Sequence, residues 1–182
     1  MDSKILAVCF DFGDTLVDEA TEVKDETDTT LQAELIPGAE EVVRELKRRG
    51  YKLALVADGR PGTYRNVLSQ HGLYELFDAF AISEDLGTEK PDSLMFVHAL
   101  DQLGIPANDY GRTIMVGNYL ERDIKGANAL GMISVWLDWA PRRPKIPKDE
   151  SEIPRFTIKM PAELLQLLEK LENGELTMED EY

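Results

Sequence analysis

Residues Ile5 to Phe10 form an unbroken apolar run that ends in Asp11-Phe12-Gly13-Asp14-Thr15-Leu16. Such a run reads as a buried strand, and the turn after it leaves a carboxylate at the strand's C-terminal tip. In open α/β sheets, ligands bind outside the carboxyl ends of the strands, so Asp11 stands where chemistry is expected. Six residues broken by an aspartate are too few for the core of a signal peptide and far too few to cross a bilayer. A soluble, cytoplasmic protein is expected.

Short aliphatic runs then alternate with stretches of helical period, the pattern of a parallel sheet with crossover helices. Pro37-Gly38 opens a helix whose apolar positions Val42, Val43 and Leu46 face inward until Gly50. Strands are expected at 52–57, 80–82, 113–116 and 133–137, with Phe156-Thr157-Ile158 as a short edge strand. Helices are expected through Val67 and Leu68 to His71-Gly72, at about 91–103, at 119–130 and at 162–171. The 182 residues, 43% of them hydrophobic, suffice for one sizeable core. The expected organisation is a single domain over 1–171 followed by an acidic tail over 172–182.

The net charge of −15 is concentrated. Residues 18–34 hold seven acids and one lysine, and 172–182 hold five acids and no base, so the remaining body is only mildly acidic. Neither a nucleic-acid-binding face nor an anionic-membrane anchor is expected. Both acidic segments read as mobile and solvated. The single cysteine, Cys9, lies inside the first strand; it excludes an internal disulfide, argues against a zinc cluster and reads as a small core residue.

Four strand ends present polar or flexible residues on one rim: Asp11 to Thr15, Ala57 to Arg60, Ser83 to Lys90 and Gly117 to Asp123. With Ile36-Pro37-Gly38-Ala39, Gly87-Thr88-Glu89-Lys90-Pro91-Asp92, and Val116-Gly117-Asn118 through Asp123-Ile124-Lys125-Gly126-Ala127 and Leu130-Gly131-Met132, this order resembles the haloacid dehalogenase superfamily of hydrolases over most of residues 5–140. The resemblance implies an α/β fold, a three-layer Rossmann-like domain around a central parallel sheet of about five strands, with no large cap domain. It further implies a phosphatase in which Asp11 attacks phosphorus and forms an aspartyl-phosphate. Lys90 would clamp nucleophile and phosphoryl group together. Mg2+ would be held by Asp11, the Gly13 carbonyl, Asn118 and Asp123.

The chain departs from the family pattern at three places. The first motif is usually D-x-D-x-T, but position 13 is glycine, which offers a carbonyl and no proton; a general acid is worth roughly 10² to 10⁴ in rate. Asp14 stands one residue late and is a candidate for that role if the turn is routed differently, with a local cap as the other reading. The second motif ends in Ala57 where Ser or Thr would bind a phosphoryl oxygen, leaving Asp58 and Gly59 backbone groups and Arg60 or Arg65 as candidate substrate contacts. The fourth motif carries Asn118 in place of an aspartate, one formal charge fewer for a metal.

Between Val17 and Ile36 there are too few residues for a helical cap, so the site is expected to be open or covered by a neighbouring subunit in a homo-oligomer, as suits macromolecular or extended substrates. Dehalogenation is disfavoured without a cap to desolvate the carboxylate. The acidic 18–34 segment leaves from the same rim and would favour a phosphorylated substrate carrying positive charge. Pro141-Arg142-Arg143-Pro144-Lys145-Ile146-Pro147-Lys148 leaves from it too, readable as a phosphate-holding loop or as a Pro-rich surface connection. Two functions stay open: a weak or selective magnesium-dependent phosphatase, or a catalytically impaired binding or scaffold module that keeps the fold.

Overall fold

The computed structural model describes residues 4–176. Strand β1 (Ala7–Phe10) is followed by a hairpin of β2 (Val23–Lys24) and β3 (Thr30–Gln32), then α1 (Ala39–Arg48), β4 (Lys52–Ala57), α2 (Pro61–Gln70), β5 (Ala79–Ile82), the short α3 (Ser83–Leu86) and α4 (Ser93–Gln102). The second half runs β6 (Thr113–Gly117), α5 (Lys125–Ala129), β7 (Ile133–Leu137), β8 (Phe156–Ile158) and α6 (Glu163–Asn173).

Six strands make one parallel sheet in the order β5-β4-β1-β6-β7-β8. Strand β1 lies inside it, with Phe10 opposite Leu55 on one side and Val116 on the other. Its side chains alternate between the two faces. Val8 and Phe10 pack in the cluster that holds Val42, Val43 and Leu46 of α1 and Leu164 and Leu168 of α6. Ala7 and Cys9 join Ala54 and Val56 against Met95, Phe96, Ala99 and Leu100 of α4. The three-layer parallel architecture is therefore as the pattern requires, and each fully buried leucine such as Leu46 or Leu168 contributes roughly 1.5–3 kcal/mol of transfer free energy. The sheet has six strands rather than about five, because Phe156–Ile158 pairs in parallel with β7 at the edge.

Three expectations change. The acidic 18–34 segment is an ordered hairpin rather than a mobile loop, because α2 satisfies backbone groups of Thr30 and Ala33, while residues 23–28 are solvent-exposed as expected. Thr63 Oγ1 accepts from Thr30 N at 3.0 Å, Asn66 Nδ2 donates to Thr30 O at 3.0 Å and Gln70 Oε1 accepts from Ala33 N at 3.1 Å. The helix expected at 119–130 begins as a π turn over Leu120–Ile124 before the short α5. At the C-terminus α6 continues to Asn173, and Glu172, placed in the acidic tail by composition, accepts from Lys4 N at 2.7 Å, Ile5 N at 3.1 Å and Tyr51 Oη at 2.9 Å. It ties the last helix to the approach to β1; residues 177–182 lie outside the described residues. Among the described residues no helix is long and apolar enough to cross a membrane.

Candidate active site

The tip of β1 remains paired to β6, since Asp11 N donates to Val116 O at 3.0 Å, and the Asp11 side chain emerges there 13% exposed. Lys90 reaches it from the loop before α4. Its ammonium donates to Asp11 Oδ1 at 2.8 Å, Asp123 Oδ1 at 2.7 Å and Val56 O at 2.8 Å, which uses all three of its N–H donors. The side chain is buried. Burial opposes its charge, but the carboxylates of Asp11, Asp123 and Asp58 outweigh that and hold the ammonium more firmly protonated than a free lysine.

Asp123 is fully buried behind Lys90, and its second oxygen accepts from Tyr119 N at 2.9 Å. Each oxygen thus accepts one hydrogen bond, and Asp123 holds Lys90 in place. Burial, then the charge of Asp11, push its carboxyl above the usual carboxylate range against the pull of Lys90. The approach depends on Gly117: a Cβ there would lie 2.2 Å from Asp123 Cγ.

The second motif contributes differently from the expected anion cradle. Ala57 is buried and has no hydroxyl, and Gly59 N–H is taken by Ser83 Oγ at 2.8 Å. Asp58 accepts from Lys90 N at 2.9 Å and faces Arg122 at 3.5 Å; burial raises its carboxyl, with the Lys90 charge opposing. Arg60 is exposed and lies 3.7 Å from Glu84, and Arg65 is exposed on α2. Both Arg60 and Arg122 line the cavity wall beside Asp58, and it is Arg122 that pairs with it.

Asn118 sits between the oxygens expected at a metal. One amide atom lies 2.7 Å from Asp11 Oδ2 and 3.2 Å from Gly13 O, and the other lies 2.9 Å from Arg143 Nε. Which atom is nitrogen follows from hydrogen bonding. With nitrogen inward, it donates to both oxygens while the amide oxygen accepts from Arg143. With oxygen inward, three oxygens converge, an arrangement that calls for a cation. Among the described residues no three His, Cys, Asp or Glu side chains cluster to hold a metal. In the oxygen-inward orientation of Asn118 the donor set fits magnesium in kind, as hard oxygens, with a single formal negative charge from Asp11.

A family model described as haloacid dehalogenase-like hydrolase matches residues 21–131. The chain belongs to the haloacid dehalogenase-like hydrolases. It is 32% identical over 127 residues to the glyceraldehyde 3-phosphate phosphatase of Methanopyrus kandleri, covering 70% of this chain and 53% of that protein. It is 36% identical over 104 residues to the phosphoserine phosphatase of Thermus thermophilus, covering 57% of this chain and 41% of the relative. The chain thus spans about half or less of the length of these relatives. In fold it is similar to the HAD-hydrolase YfnB of Bacillus subtilis bound to magnesium, with a TM-score of 0.73 at 20% identity over 90% of this chain and 98% of that one.

Asp14 has the character of a local cap, since it accepts from the first N–H of the 3-10 turn Glu19–Thr21. It has φ 53°, is fully buried and turns away from Asp11. Arg142 Nη2 donates to both its oxygens at 2.6 Å and Arg143 Nε to Oδ2 at 3.0 Å, while Oδ1 also accepts from Glu19 N at 3.2 Å. The loop over 141–148 is therefore a clasp and not a free phosphate cradle: Lys145 pairs with Asp138, and Lys148 with Glu121. Arg143 also donates to Tyr119 Oη at 2.6 Å and lies over that ring, 4.5 Å from its centroid.

The hairpin closes one side of a cavity of about 670 Å³ in which Glu22, Lys24 and Asp28 share the wall with Asp11, Gly13 and Lys90. The acidic segment expected to leave from this rim thus forms part of the cavity wall. Tyr64 also lines it; burial, then the charge of Asp11, raise its phenol well above the ordinary value, so it stays a neutral donor.

Proposed function

We propose that the protein is a phosphatase that hydrolyses phosphomonoesters through an aspartyl-phosphate on Asp11. The observation that carries this reading is the Lys90 ammonium 2.8 Å from Asp11 Oδ1 at the wall of a cavity of about 670 Å³. A buried cation there offsets the repulsion between a carboxylate nucleophile and an anionic phosphoryl group. Arg122 supplies a second positive group on the same wall. Asp11 Oδ2, the Gly13 carbonyl and Asn118 Oδ1 would hold Mg2+, which when bound neutralises charge on the phosphoryl oxygens. The phosphatase names of the relatives support the reaction class.

The cavity wall sets the substrate class. Glu22 and Asp28 outnumber their partner Lys24 on the hairpin, and Glu84 and Glu89 outnumber Arg60 opposite, which favours an ester whose alcohol part is neutral or positively charged and small enough for the cavity. The inward nitrogen reading of Asn118 favours the alternative of an impaired binding module, since an amide that satisfies Asp11 and Gly13 leaves no role for a cation.

A hydrolysis panel separates these. Phosphocholine, phosphoserine, a basic phosphopeptide and a sugar bisphosphate are assayed with and without magnesium, with Asp11→Asn as control. Magnesium-dependent turnover that Asp11→Asn abolishes supports the phosphatase. Equal background rates for both proteins support the binding module, and a preference for the bisphosphate overturns the charge argument.

A further inference from the structure

The proposed reaction needs a group that protonates the departing alcohol, and position 13, two residues after the nucleophile, carries no side chain. Another residue fills that place. A Cβ built on Gly13 would lie 2.2 Å from Glu19 Oε1 and 2.7 Å from its Cδ, so the Glu19 carboxylate already occupies the volume a residue-13 side chain would enter. Gly13 is not among the positive-φ glycines. Its lack of a side chain therefore provides room rather than backbone freedom.

The carboxylate is held with one oxygen turned to that place. Glu19 opens the 3-10 turn Glu19–Thr21, and its backbone N–H donates to Asp14 Oδ1 at 3.2 Å. Arg143 Nη2 donates to Glu19 Oε2, and Arg142 Nη2 lies 3.7 Å from the same oxygen, whereas Oε1 is the atom nearest the Gly13 position. The side chain is 38% exposed and lines the cavity with Asp11, so substrate can reach it.

Four other carboxylates of this region each have a partner of their own, and none of them occupies the Gly13 position. Asp14 is fully buried under the arginines, Asp123 holds Lys90 and Tyr119 N, and Asp58 holds Lys90 N. Glu22 lies 3.7 Å from Lys24 on the hairpin.

We propose that Glu19 is the general acid and base of this site, a carboxylate brought in from the 3-10 turn to serve beside Gly13; the proposal rests on the phosphatase reading. In the first step, which starts with Glu19 having taken a proton from solvent, an Asp11 oxygen bonds to phosphorus, the ester P–O bond breaks, and the Glu19 proton passes to the leaving oxygen to give the alcohol. In the second, water oxygen bonds to phosphorus, the bond from Asp11 to phosphorus breaks, and a water proton returns to Glu19 as phosphate forms. Asp14 acts as a positioning residue through the Glu19 backbone.

The test compares an alkyl phosphate with p-nitrophenyl phosphate, whose leaving group needs no proton, in single-turnover alcohol release. Glu19→Gln is expected to slow the alkyl ester by roughly 10² to 10⁴-fold and the nitrophenyl ester by less than about tenfold. Gly13→Asp combined with Glu19→Ala is expected to restore alkyl turnover, because the new side chain enters the space that Glu19 vacates. Equal loss on both esters without rescue, no loss on either, or the same selective loss from Glu22→Gln overturns the role of Glu19 while leaving the phosphatase intact. A wild-type protein that hydrolyses neither ester with magnesium overturns both readings.

Discussion

Lys90 Nζ lies 2.8 Å from Asp11 Oδ1 and 2.7 Å from Asp123 Oδ1, so two carboxylates share one ammonium at the end of the sheet. Removing one partner from a buried ion cluster costs about 3–5 kcal/mol, because the remaining charges have no compensation. Lys90→Met is expected to lower stability by about that amount in urea denaturation and to abolish hydrolysis. Adding Asp123→Asn to Lys90→Met removes one orphaned charge and is expected to recover part of the stability with no recovery of activity. Full stability in the single variant would show that the cluster is not coupled as drawn.

Asp14 makes a different prediction from the one its spacing invites. Charge-assisted hydrogen bonds contribute roughly 1.5–3 kcal/mol each where they are sheltered, and Asp14 is fully buried under Arg142 and Arg143. Asp14→Ala is expected to destabilise by about 2–3 kcal/mol, to expose Arg142 and Arg143 to trypsin, and to slow alkyl ester hydrolysis through Glu19. Asp14→Asn tolerates the left-handed φ of 53° better than alanine and is expected to lose less. Unchanged melting and proteolysis for Asp14→Ala would remove the clasp from this account.

These two residues mark how far the sequence could be read. Strand and helix alternation, and the placing of Asp11 and Lys90 on one rim, follow from periodicity and short motifs, which are local signals. Asp14 and Arg142 stand 128 positions apart, and nothing periodic announces their pairing. The exposure of the 18–34 segment is legible in its composition but its order is not, because that order comes from Thr63, Asn66 and Gln70 on a later helix. One signal for Glu19 was visible: a glycine beside the nucleophile leaves a space that another side chain can fill.

Cys9 carries a pH dependence. Burial alone pushes its thiol from an ordinary 9.0 up to about 12. The folded state therefore keeps the neutral thiol, and the stability this contributes is in place below about pH 9 and is lost as pH rises towards about 12, where the folded thiol ionises as well. At pH 8, a disulfide reagent is expected to label the native protein at the rate of its opening and the urea-unfolded chain at once. Rapid native labelling would contradict the burial of β1.

Asn118→Asp tests the magnesium reading through binding. The substitution puts a carboxylate oxygen 2.7 Å from Asp11 Oδ2, where an amide N–H can otherwise stand, and adds a second formal charge to the donor set. Without a cation the two carboxylates repel and Gly13 O loses its donor, so melting temperature is expected to fall in chelator. With magnesium the added anionic ligand is expected to tighten affinity by roughly tenfold or more, on the order of 1.4 kcal/mol, as read by calorimetric titration. Melting would then rise with magnesium concentration by mass action, more steeply in Asn118→Asp than in the wild type. If the variant melts identically in chelator and in magnesium, these three oxygens are not a cation site, and the amide bridge between Asp11 and Gly13 is the resting structure.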